Sequence, residues 1–99
     1  MITLGFVASY SDEVTIDQAI TAEVNGETLP LTSSYIVAGT GGDIVWLNGL
    51  GIPQYLPGAQ ANQAYPIGAS KIVSSGVVNG TSRTTTASDL VWLASPSAA

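Results

Sequence analysis

The sequence predicts an all-β protein: a small antiparallel β-sandwich or barrel, jelly-roll-like, of about seven or eight short strands. Three observations predict it. A five-residue run occurs twice, as Asp43-Ile44-Val45-Trp46-Leu47 and Asp89-Leu90-Val91-Trp92-Leu93. Each copy follows Gly, Thr or Ser, and each reads as a strand that is apolar on both faces. Turn signals recur every eight to twelve residues or so, the usual spacing of a sandwich. No stretch keeps i, i+3, i+4 apolar periodicity over the roughly 10 residues a helix needs.

Taken in order, residues 1–19 read as an N-terminal arm and residues 20–99 as the sandwich domain. Ile2, Leu4 and Phe6 alternate, so an extended arm would present all three on one side, ready to lie across a neighbouring subunit. Residues 20–24 lead into Asn25-Gly26 and residues 27–29 lead out, a hairpin joined by a type I′ pair. Pro30 limits ladder bonding and places this hairpin near an edge. Tyr35-Ile36-Val37 is a short strand. Gly39-Thr40-Gly41-Gly42 then turns the chain into the first repeat, which ends at Asn48-Gly49. Residues 52–56 can pair back with it as an irregular or edge strand, given Pro53. Residues 56–64 read as the one long loop, and Tyr65-Pro66-Ile67 restarts extended structure. Lys71 to Val78 reads as one strand with a possible bulge at Gly76. Asn79-Gly80 makes a second tight turn, the Thr-rich run 81–86 is β-prone, and the second repeat follows.

The 99 residues suit one domain. Only 9% of them are charged, where roughly a quarter is usual for a soluble domain. No apolar run approaches the roughly 20 residues of a membrane-spanning helix. Abundant apolar residues and few ions together indicate a surface covered by other protein. The two basic residues, Lys71 and Arg83, face seven acidic ones, for a formal net charge of −5. Nucleic-acid binding needs clustered Lys and Arg and is not expected. A chain that starts at Met1 with no basic leader is expected to be made and used without export.

The repeats sharpen the expectation of partners. In each, one side carries Val and Leu (Val45 and Leu47; Val91 and Leu93) and the other carries Ile44 and Trp46 or Leu90 and Trp92. One side must pack the core, and the other must meet something other than water. A loop or arm of the same chain could cover it. So could a subunit interface, to which aromatics are well suited. Ile2, Leu4, Phe6, Ile44, Trp46, Leu90 and Trp92 are therefore the candidate interface residues.

Chemistry has little to work with. No His and no Cys are present, which removes the commonest general base, thiol nucleophiles and the usual transition-metal ligands. Lys71 reads as a solvated edge residue. Asp12, Glu13 and Asp17 are the available carboxylates for glycoside hydrolysis, in a polar stretch. Gly41-Gly42-Asp43 reads as turn chemistry, not as half of a calcium-binding repeat. Asn79-Gly80-Thr81 reads as a hairpin turn, not as a glycosylation site. No catalytic residue, metal ligand or cofactor site is expected. The one alternative function is a carbohydrate-binding or adhesin-like module, with Tyr55 and Tyr65 flanking the long loop as a stacking platform.

The order of elements also carries a resemblance over residues 34–94. It comprises Tyr35-Ile36-Val37, Gly-Thr-Gly-Gly-Asp at 39–43 and its apolar strand, Leu56-Pro57-Gly58, and Tyr65-Pro66-Ile67. Lys71-Ile72, Ser75-Gly76, the Thr-rich run and Asp89-Leu90-Val91 complete it. This resembles the small β-rich virion proteins of tailed bacteriophages and gene transfer agents, of the spike-base or head-decoration type. The loop 57–64, the two Trp residues and the N-terminal segment depart from that pattern. The resemblance implies a non-enzymatic, particle-bound protein that forms a small homo-oligomer, such as a trimer, and contacts capsid or other virion subunits.

Overall fold

The computed structural model describes residues 13–24 and 26–93, and Ile2, Leu4 and Phe6 lie outside them. Twelve strands succeed one another among these residues. They are β1 (Glu13–Val14), β2 (Gln18–Ala19), β3 (Thr21–Val24), β4 (Glu27–Pro30), β5 (Tyr35–Thr40) and β6 (Gly42–Leu47). β7 (Pro53–Ala59), β8 (Ala64–Tyr65), β9 (Lys71–Val73), β10 (Ser75–Val78), β11 (Thr81–Thr84) and β12 (Ser88–Leu93) complete the set. The protein is all-β, as its periodicity predicts. The strands outnumber the expected seven or eight because two hairpins, β3–β4 and β10–β11, are additions to an eight-stranded frame.

That frame is two four-stranded sheets, β1-β12-β5-β8 and β2-β9-β6-β7, and every ladder in them is antiparallel. Along the chain, the eight strands pass from one sheet to the other in the sequence one, two, one, two, two, one, two, one. This double Greek-key wrapping is the jelly roll. The two copies of the repeat, β6 and β12, are inner strands of opposite sheets. Each inner face carries the branched aliphatics and Trp of its copy: Ile44 and Trp46 in one, Leu90 and Trp92 in the other. Ile36, Ile72, Val14 and Ile20 fill the space between them.

Residues 13–19, read from the sequence as part of the arm, pair within the frame. β1 lies against β12 with Glu13 opposite Val91, and β2 lies against β9. Val14 and Ile20 are buried. A tight corner moves the chain between sheets: Asp17 takes a left-handed φ of 71°, its N–H donates to Ile72 O at 2.6 Å, and its carboxylate accepts from Ser74 N at 3.0 Å.

Two other segments differ from the sequence reading. Residues 56–59 are strand, not loop, because Asp43 across the ladder accepts a hydrogen bond from Gly58 N at 2.9 Å. β7 is an edge strand, so Pro57 breaks no ladder bond that matters. Lys71 to Val78 is two strands. At Ser74 the chain leaves the sheet, its N–H taken by Asp17 and its carbonyl by Thr85 N at 2.9 Å. Gly76 sits in a regular register opposite Arg83, with no bulge.

Candidate interaction surface

The outer faces of the two sheets differ, and the difference begins with one hydroxyl. Thr85, buried between strands, donates to Val73 O at 2.6 Å and accepts from Val45 N at 2.9 Å. It bridges β9 and β6 where Val45 and Val73 face each other. The bridge fixes the base of the β10–β11 hairpin, which folds back over β6 and β7. At Gly76 a Cβ would stand 3.4 Å from both Val45 and Pro53, so the hairpin backbone lies directly on the sheet. Val45 is fully buried as a result.

Farther along the hairpin, the Arg83 guanidinium lies 4.6 Å from the centroid of the Tyr55 ring, in cation–π range. The Tyr55 hydroxyl donates to Asp43 at 3.1 Å. Desolvation, and then the adjacent Asp43 carboxylate, raise the Tyr55 phenol above its ordinary value, with Arg83 opposing. Asp43 is thus a structural knot, holding Tyr55, Gly58 and, through its backbone carbonyl, the amides of Thr86 and Ala87. Gly42 beside it has φ 158° and no room for a Cβ, which would meet Ala87 N at 2.7 Å.

Among the described residues, no such layer covers the outer face of β12 and β5. Val91 stands opposite Val37 and Leu93 opposite Tyr35, so these four side chains share one side of the sheet. Tyr35 is 43% exposed and Leu93 37%, with Val37 and Val91 half-buried between them. Glu13, paired with Val91, is the charged residue at the edge of this stripe.

The candidate interface residues are corrected accordingly. Ile44, Leu90 and Trp92 are buried in the chain's own core, and Trp46 packs against that core from a partly buried position. They lie inward because the two repeats supply the facing sides of one sandwich. On this sheet the apolar side chains that face outward are the other members of the second copy, Val91 and Leu93, with Tyr35 and Val37. Alternation revealed that both sides of each repeat were apolar, but not which side a distant hairpin would cover.

Tyr55 and Tyr65 do not form one platform. Tyr55 pairs with Val45 and lies on the outer side of its sheet. Tyr65 pairs with Ile36, faces the core, and accepts a hydrogen bond from Gln60 N at 2.8 Å. Lys71 stands opposite Leu47 at the end of β9. Of the carboxylates considered for catalysis, Asp17 is engaged by Ser74, Glu13 is exposed on the β1 edge, and Asp12 lies outside the described residues. Among the described residues, no group of three His, Cys, Asp or Glu side chains could hold a metal ion.

One surface feature, the exposure of Leu50 and Ile52, had no sequence reading. The turn between β6 and β7, residues 48–52, holds Leu50 85% exposed and Ile52 51% exposed. Comparison with protein-family models, curated proteins and solved structures finds no match.

Proposed function

We propose that this chain is a structural, non-enzymatic subunit that works by packing against copies of itself and against neighbouring proteins of a particle. The tailed-phage virion, at the capsid surface or a spike base, is the particle the sequence resemblance suggests. One observation carries the reading: among the described residues nothing lies over the Tyr35, Val37, Val91, Leu93 stripe, whose ends Tyr35 and Leu93 are exposed, whereas the equivalent face of the other sheet has a dedicated hairpin over it. A contiguous apolar strip on a charge-poor protein is the usual mark of a protein–protein contact. The jelly-roll wrapping fits, since viral capsid domains use it, although lectins and other proteins use it too. Separation of Tyr55 from Tyr65 leaves the carbohydrate-binding reading without its platform.

The test is the double substitution Val91→Thr with Leu93→Ser, read by sedimentation equilibrium. The expected result is a lower weight-average mass at equal concentration, with far-UV circular dichroism unchanged. An unchanged mass, in a chain that self-associates, would remove this face from the interface.

A further inference from the structure

The stripe on β12 and β5 is small for a surface that has to hold copies together. Tyr35 is its most exposed member at 43%, Leu93 follows at 37%, and Val37 and Val91 are half-buried. Two such stripes laid face to face would bury well under the roughly 800 Å² per partner of a standard interface. The stripe is also uncharged. Tyr35, Val37, Val91 and Leu93 carry no ion, and Glu13 borders them only beside Val91. A fitting occupant is therefore apolar, uncharged and able to bring area beyond that of a second stripe.

The chain carries such a segment, and it joins the fold at the stripe. Residues 1–11 have no charged side chain, and Ile2, Leu4 and Phe6 recur at every second position. In an extended chain that step is about 7 Å, the same step that separates Val91 from Leu93 on β12. The described chain begins at Glu13, which pairs with Val91 in a strand antiparallel to β12. Traced backward from Glu13, the direction of β1 leads past Leu93, the last residue of β12. Leu93 is two residues from Val91, about 7 Å along the strand, whereas Phe6 is seven residues before Glu13, about 23 Å of extended chain. The stretch between them, Val-Ala-Ser-Tyr-Ser-Asp at 7–12, has no Gly or Pro to reverse it. The direction of β1 thus points the apolar trio off its own sheet and toward a neighbour.

We infer that residues 1–11 of one copy lie over the Tyr35, Val37, Val91, Leu93 stripe of the next, with Ile2, Leu4 and Phe6 against it. Three large side chains supply the area that a second stripe lacks. An uncharged segment on an uncharged face leaves no ion desolvated and unpaired. Each copy gives one segment and receives one, so the contact closes in a reciprocal pair or a ring, or extends into a filament, according to its rotation.

The inference names the segment behind the self-association reading and rests on that reading. Its experiment compares the natural chain with two full-length variants, one carrying Ile2→Ser, Leu4→Ser and Phe6→Ser, the other Val91→Thr and Leu93→Ser. In sedimentation equilibrium each variant alone should associate about tenfold or more weakly than the natural chain, with circular dichroism unchanged. An equimolar mixture should form a one-to-one complex that grows no further, because one variant keeps the segment and the other keeps the stripe. An Ile2, Leu4, Phe6 variant that associates as tightly as the natural chain, or a mixture that does not complement, overturns the segment as occupant and leaves the self-association reading standing. A monomeric natural chain whose Ile2, Leu4, Phe6 variant associates would place the segment over the stripe of its own copy, which also overturns the exchange. If the natural chain and both variants are all monomeric, the self-association reading falls with it.

Discussion

Thr85 shows how much one side chain can decide in this protein. Its hydroxyl accepts from Val45 N–H and donates to Val73 C=O, where these two residues pair at the end of the β6–β9 ladder. Replacing it with the near-isosteric Val removes both hydrogen bonds at a buried site. Thr85→Val is therefore expected to lower unfolding free energy by about 1–3 kcal/mol in urea titrations, and Thr85→Ser by much less. Equal losses for the two would mean that the methyl group, not the hydroxyl, holds the hairpin base. Tyr55 gives a second residue-level expectation. Its folded-state pKa is raised above its ordinary value of 10.0. The neutral phenol's contribution is thus whole below pH ~10 and is lost as pH rises through the folded value. The melting temperature should fall in that alkaline range, and Tyr55→Phe should flatten the fall. An identical alkaline slope in the Phe variant would assign it to other groups.

The two inserted hairpins are alike in the sequence and unlike in the structure. β3–β4 pairs along its own length, and β4 is exposed throughout; its base is closed by Leu31 N donating to Ile20 O at 2.8 Å. Replacing residues 22–29 with a tight turn is expected to shift the melting temperature by only a few degrees. Replacing residues 76–83 uncovers Val45 and should lower stability by at least about 1.5 kcal/mol, the lower estimate for exposing one buried aliphatic side chain. Thermal melts of the two deletions, compared directly, check the contrast. The hairpins themselves were legible because their signals are local. Asn79 and Gly80 take φ of 52° and 82°, as a type I′ pair requires, and Val24 faces Glu27 across the Asn25-Gly26 turn. What was not legible depends on contacts between distant residues. Pro57-Gly58 reads as a loop until Asp43 reaches across to Gly58, and Lys71 to Val78 reads as one strand until Asp17 and Thr85 claim Ser74. Likewise, both repeats look two-sided in the sequence, and only the fold shows that a segment 30 residues downstream covers Val45, while among the described residues none lies over Val91.

For the whole molecule, the balance of ions and apolar surface is the governing fact. Nine charged side chains serve a surface on which Ile16, Leu29, Tyr35, Leu50, Ile52, Val77 and Leu93 all stand exposed. Single exposed aliphatics are ordinary. Here four apolar side chains form a stripe on one sheet, and two more project from a turn locked by hydrogen bonds. The same shortage of charge on which the expectation of partners rests acts on these particular positions in the fold. Added salt should therefore leave the stripe contact intact. Sedimentation equilibrium in low and high salt checks this. A marked loss of mass at high salt would contradict an apolar contact.

The most direct measurement is sedimentation equilibrium of the natural sequence over a wide range of concentration. The account predicts reversible growth beyond the 10.1 kDa of one chain as concentration rises. A mass that stays at one chain throughout would contradict it, since the stripe and the projecting turn would then be tolerating water without a partner.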